Sequence, residues 1–407
     1  MKYLLLIVLS ISLLKINSQE LEYKRSSIYS VLIKHSEKEF NKEIDSVFKK
    51  IPLSQKFNNH NLKIRAINSN VAQGKMSDEE NTIKTIEVFL SKNDIAKRLV
   101  SKWFNRKSGK NGDGTFNMNL VFERGYYNAD SYDIEISKLL KRGNHILKDV
   151  GEELIGNTYV VFHDITYYDK EAGTSLATVG IIIGGTIASE IVGGQVGSVI
   201  SSGTDIVSTI TDKITGFRVN IKSYLYRLEW NDNIANKFYS EYYISSPDID
   251  KKKAYDNDKD LFKLTYIGCY ESVSNKVGIE GVHNKNDMIR KVCERAIDKN
   301  IALLQTEYEE FRVKTPLYST EPLTAKIGLK EEVDPNKKYE VLEIIENEDN
   351  TTEYKRIGVI KPVKDKIWDN RYMAEYEEDN LNSKFESTEF EIVSGSGFYP
   401  GMLIREM

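Results

Sequence analysis

The chain predicts a multidomain α+β / α/β protein: a mixed α/β sheet domain with a glycine-rich helical insertion, followed by a small C-terminal β-barrel. Three observations carry this reading. Two strand-patterned segments, Thr158–Tyr168 and Phe217–Trp230, flank a long stretch low in charge. In the second, Phe217, Val219, Ile221, Ser223, Leu225 and Arg227 alternate with Arg218, Asn220, Lys222, Tyr224 and Tyr226, the period of two of a half-buried strand. After Pro316 the helical period gives way to short strand-like runs separated by polar turns, which suits a small barrel or sandwich.

The 407 residues exceed what one small core organises, so several domains are expected. Hydrophobic and aromatic contents of 40% and 10% suit globular domains rather than a disordered chain. A net charge of −4 provides no basic field, so nucleic acid is not an expected partner. Residues 1–18 read as a signal peptide: a Met1-Lys2-Tyr3 start, an apolar run from Leu4 to Leu14 too short to span a bilayer, and Ile16-Asn17-Ser18 as a cleavage site before Gln19. Export is therefore expected, and no cysteine after the apolar run offers a lipid anchor there.

Residues 19–85 read as an N-terminal helical appendage. Ile28, Val31, Leu32, Phe40, Ile44, Val47 and Phe48 recur at helical spacing over Ser26–Lys50, with a break at His35–Lys38 and a stop at Pro52. Leu62–Ala66 reads as a short strand and Val71–Asn81 as a loop. Residues 86–312 form the expected α/β domain. Asn93 or Asp94 starts a helix bearing Ile95, Leu99, Val100, Trp103 and Phe104. Asn111-Gly112-Asp113-Gly114 is a turn; a calcium loop would need a glutamate at its twelfth position. Phe116–Glu123 reads as a strand and Ser131–Leu154 as a helix. Asn286 starts a further helix whose stripe of Met288, Ile289, Val292, Cys293, Ala296, Ile297, Ile301 and Leu304 is core packing. Asp256, Asp258 and Asp260 form a solvated turn, since Leu261 stands where a calcium loop needs glycine. Residues 313–407 hold the expected barrel strands: Leu323–Ile327, Lys338–Ile345, Tyr354–Ile360, Tyr372–Tyr376, Glu389–Val393 and Met402–Arg405.

No catalytic motif stands in the chain: no GxSxG, no HExxH and no Cys/His pairing at a known spacing. No catalytic residue, cofactor or metal is expected. The two cysteines, Cys269 and Cys293, leave two readings open, a disulfide or two buried thiols.

The insertion, residues 172–215, is the most informative stretch. From Ala172 to Thr204 the one charge is Glu190. Gly180, Gly184 and Ala188 are spaced by four, as are Gly193, Gly197 and Ser201. On helices, each set makes a smooth stripe that admits a close backbone neighbour. A helical pair packed on the domain's own sheet and a membrane or homo-oligomer contact both satisfy this pattern. Gly180, Gly184, Ala188, Gly193 and Gly197 are the candidate contact residues.

The order of pieces also resembles known envelope proteins. Phe116–Gly125 resembles the strand that leads into a (V/L)xERxx segment in the curli secretion channel class. Asp164-Ile165-Thr166-Tyr167-Tyr168-Asp169 is similar to that class's ITxYD-like segment. Phe217–Trp230 stands in the place of its VNLRLVDVxTG strand, without the closing Thr-Gly, and the glycine-rich run in the place of its membrane hairpin. Val333–Val341, Arg356–Ile360 and Pro400–Ile404 are similar to the small barrel that ends flagellar assembly protein T. The resemblance implies an exported, non-enzymatic bacterial cell-envelope protein in the periplasm or at the outer-membrane periphery, with outer-membrane association through residues 172–204. The alternative is a soluble periplasmic or extracellular binding module that uses tyrosine-rich surfaces.

Overall fold

The computed structural model describes residues 26–38, 40–53, 57–69, 78–109, 111–128, 154–170, 214–279, 285–312, 314–346, 352–371, 374 and 385–407. Within them the chain is mixed α/β with two sheets. The first sheet has six strands: β1 (Ser26–Lys34), β2 (Phe57–Asn59), β3 (Ala66–Asn68), β4 (Thr158–Lys170), β5 (Ile214–Leu228) and β6 (Leu264–Ile279). Their order is β2-β1-β4-β5-β6, with β3 beside the far end of β1. β1 is parallel to β2, β3 and β4, while β5 and β6 follow antiparallel.

The expected helix over Ser26–Lys50 is corrected here. Ser26–Lys34 is a strand, and a helix, α1 (Asn41–Phe48), follows only afterwards. Ile28 and Leu32 fill one face of the sheet and Tyr29, Val31 and Ile33 the other. An apolar run that fills both faces of an interior strand satisfies a helical period by accident. The segment read as a helical appendage therefore supplies three strands to the sheet itself. α2 (Asp78–Lys92) likewise replaces the last residues of the expected 71–81 loop.

Helices cover both faces. α1 and α7 (Lys285–Glu307) lie on the side of Ile28, Val161, Ile221 and Leu225, and α7 buries its expected stripe there. α2 and α3 (Ile95–Trp103) lie on the side of Tyr29, Phe162, Tyr224 and Tyr226, matching the alternation read from β5. Asp94 takes a left-handed backbone conformation (φ 47°) at the corner between α2 and α3, and its side chain makes no cap. Asp tolerates that conformation better than most residues.

Phe116–Glu123 is also corrected. It leads into a helix, α4 (Asn119–Asn128), whose first N–H is held by the Asn117 side chain at 3.1 Å. The buried Val121 and Arg124 stand three apart, on one helical face. α5 (Asp232–Lys237), a π-helical turn at Phe238–Tyr242 and α6 (Ile249–Asn257) complete an aromatic cluster around Phe104, Phe116, Trp230 and Phe238. The turns at 111–114 and 256–260 use their acids internally. Asp113 accepts from Thr115, while Asp258 accepts from Tyr242 and the Asp260 and Leu261 amides.

The second sheet is a closed, barrel-like ring of six antiparallel strands: β7 (Thr315–Thr320), β8 (Leu323–Ala325), β9 (Tyr339–Glu346), β10 (Thr352–Pro362), β11 (Thr388–Gly395) and β12 (Leu403–Glu406). Leu317, Val341, Ile360, Phe390 and Ile404 are among the side chains that fill it. Of the expected strands, 372–376 lies outside the described residues except for Ala374. α7 joins the two parts: Lys330 of the ring lies 3.3 Å from Asp298, and Arg405 lies 3.5 Å from Glu309 just beyond α7.

Candidate functional site at the carboxyl end of the sheet

In open α/β sheets, ligands gather outside the carboxyl ends of the parallel strands. The parallel pairing of β1 with β4 ends at Ile33 and Asp164. His35 follows at once, and its Nε2 lies 2.5 Å from Asp164 Oδ1. The pair is mostly buried, with 15% and 18% of the two side chains exposed. The Asp164 hydrogen bond raises the His35 pKa above its ordinary value, outweighing burial. Asp164 is paired in register with Lys222 on β5. The Lys222 ammonium meets Glu79 of α2 at 2.5 Å, and Glu79 lies 3.6 Å from Cys269 Sγ. Burial opposes the Lys222 charge, but Glu79 holds its pKa above the usual value, and Lys222 in turn lowers that of Glu79. Burial raises the Cys269 thiol, so it stays protonated and a poor nucleophile.

Chemically, His35–Asp164 can hold or pass a proton near neutrality. Among the described residues, no nucleophile makes a hydrogen bond to it, and no group of three or more His, Cys, Asp or Glu forms a metal-binding cluster. The cluster's evident effect is to lock β1, β4, β5 and α2 together where the sheet changes character. β4 continues past Asp164 to Lys170, paired only with β5, and β6 continues beside β5 to Ile279. The result is a three-stranded antiparallel arm about 17 Å long beyond the parallel part. Lys170 pairs with Gly216 at its far end; residues 171–213 connect there and lie outside the described residues.

A second constellation lies in the core. His163 Nδ1 is 2.8 Å from Ser223 Oγ, and Asn300 Nδ2 donates to the same oxygen at 2.7 Å and to Tyr270 O at 2.9 Å. These residue types resemble a nucleophile with its base. All three are fully buried, Asn300 being part of α7 itself, and burial lowers the His163 pKa to about 3. No substrate reaches Ser223, so the trio is a polar layer in the core rather than a reaction centre.

Gly180, Gly184, Ala188, Gly193 and Gly197 lie outside the described residues. Sequence reasoning missed His35, Asp164 and Lys222. The signal that would have found them is the strand character of Ser26–Lys34, which brings His35 to a residue 129 positions away. Cys269 lies within β6, and both cysteines are free thiols. No family model matches the chain, and no curated protein matches it.

Proposed function

We propose that this is an exported, non-enzymatic cell-envelope component that supports secretion or assembly at the outer membrane. Residues 172–204 serve as its contact with the membrane or with further copies, and the C-terminal ring is a small β-barrel module. The observation that supports this reading is the antiparallel arm. A segment that only completed the domain's own core would not need strands carried beyond the parallel sheet. An arm braced at its base by His35–Asp164 and Lys222–Glu79 suits a segment presented to a partner.

Gly184→Leu tests it. In a close helix contact this substitution overpacks the site by about 1–3 kcal/mol. The proposal expects the monomer's melting temperature to hold while oligomer size or membrane retention falls. Gly173→Leu, outside both four-spaced sets, should change neither. A fall in melting temperature with nothing else lost would place the segment on the domain's own sheet.

The second reading, a soluble binding module, is favoured by apolar residues on the ring. Tyr318, Ile392, Val393 and Tyr399 are each 45–55% exposed. It expects full release from membranes and no effect of Gly184→Leu on assembly.

A further inference from the structure

The sheet edge opposite the arm holds an arrangement that the proposed function does not use. β2 and β3 are two pieces of one edge, separated by a bulge at residues 60–65. Side chains replace the missing ladder there: Asn61 Oδ1 accepts from Ser30 N at 2.9 Å, and Arg65 Nε donates to Ser30 O at 2.9 Å. Around the bulge gather cations. Arg124, 6% exposed, donates through Nη1 to Ser27 Oγ at 2.9 Å and His60 Nδ1 at 2.8 Å, and through Nη2 to Asn59 O at 3.3 Å. Its guanidinium lies over the Trp103 ring at 4.3 Å. Lys102 Nζ donates to Asn61 O at 2.8 Å. His60, fully buried, is held neutral: Nδ1 accepts from Arg124, and Nε2 donates to Leu99 O at 3.0 Å.

Among the described residues, no carboxylate lies within ion-pair distance of Arg65, Lys102 or Arg124. Elsewhere several poorly exposed cations are matched with acids: Arg106 with Asp256, Lys34 with Asp45, Arg405 with Glu340. Buried charge is ordinarily paired, because desolvation is costly, and like charges held together add to that cost. The strain shows at Lys102, where burial and then Arg124 and Arg65 push the pKa down to about 8. Such a group of cations in a chain of net charge −4 is arranged for an anion. Fixed, water-poor donors of this kind suit a phosphate oxyanion, which Arg and Lys bind through charge-assisted hydrogen bonds.

We infer that the bulge at residues 60–65, with Arg65, Lys102 and Arg124, is a binding site for a phosphate group. Arg65 and Lys102 are only partly buried, so the site opens to solvent through them, while Arg124 fixes its field from within. The inference does not rest on the proposed role of residues 172–204.

The test is calorimetric titration of the full chain with inorganic phosphate, with vesicles of phosphatidylglycerol as a second arm. Saturable phosphate binding is expected, at least tenfold weaker in Lys102→Gln, restored in Lys102→Arg and unchanged in Lys253→Gln, an exposed lysine far along the chain. In phosphate-free buffer Lys102→Gln should melt no lower than the wild type, because it removes a like charge. In phosphate the order should reverse. Vesicle binding that Lys102→Gln abolishes would identify a lipid headgroup as the source, and phosphate binding alone a soluble phosphate. Affinity weaker than about 1 mM in both arms, or equal binding by Lys102→Gln, overturns the inference.

Discussion

Gly268 sits where β6 carries an extra residue, since Leu225 pairs with Gly268 and Tyr226 with Tyr266. Tyr308, just after α7, lies directly against it. A Cβ at Gly268 would stand 2.2 Å from Tyr308 Oη and 2.3 Å from its Cζ, contacts that a side chain cannot make. Tyr308 Oη also donates to Cys269 O at 3.0 Å, covering part of the sheet's open edge. Gly268→Ala must therefore push the ring away. Overpacking costs about 1–3 kcal/mol, and the lost hydrogen bond a further 0.5–1.5 kcal/mol or so. A destabilisation of about 2–4 kcal/mol is expected from the two together. The partner is a side chain, so the effect separates in a double-mutant cycle. In a Tyr308→Ala background the clash is gone, and alanine outdoes glycine in a strand by about 0.5–1 kcal/mol. Gly268→Ala should then be neutral or stabilising. Urea unfolding followed by far-UV circular dichroism measures all four corners. An equal loss in both backgrounds would refute the packing of Tyr308 on this edge.

Two further predictions concern protons. Burial pushes the Asp298 pKa up to about 7, outweighing the Lys330 ammonium 3.3 Å away. The stability this group contributes is therefore full below the ordinary carboxylate range and is lost as pH rises through about 7. Asp298→Asn should gain on the wild type in melting temperature between pH 5 and pH 8 or so; a constant difference would contradict the burial of that carboxyl at the junction of helix and ring. His35 is raised by Asp164, so its contribution is full below the ordinary histidine value and disappears as pH rises through the raised one. In a proton NMR titration, Asp164→Asn should return the His35 ring to a lower midpoint. An unmoved midpoint would mean that the pair does not form.

What was legible in the sequence follows from how local each signal is. The faces of β5 were readable because alternation is written in consecutive residues, and Val219, Ile221 and Leu225 indeed share a core opposite Tyr224 and Tyr226. The α7 stripe was readable for the same reason. Five ring strands stood out between polar turns, whereas β7 was hidden by Pro316, which reads as a stop yet fits the second position of a strand. β1 was misread because a strand buried on both faces has no alternation to show. The polar cluster was then out of reach. His35, Asp164, Lys222 and Glu79 come from four elements, and only the sheet order brings them together. The cations at the bulge were invisible for a related reason: that Arg65, Lys102 and Arg124 gather there is a property of space, not of spacing.

In the proposed function, residues 172–204 make contact outside the domain. The most direct measurement is fractionation of the native cell followed by a carbonate wash, with the protein tracked by antibody. The protein is expected to stay with the envelope fraction through the wash, and Gly184→Leu to release part of it. Recovery of both forms entirely in the soluble fraction, as monomers, would contradict it.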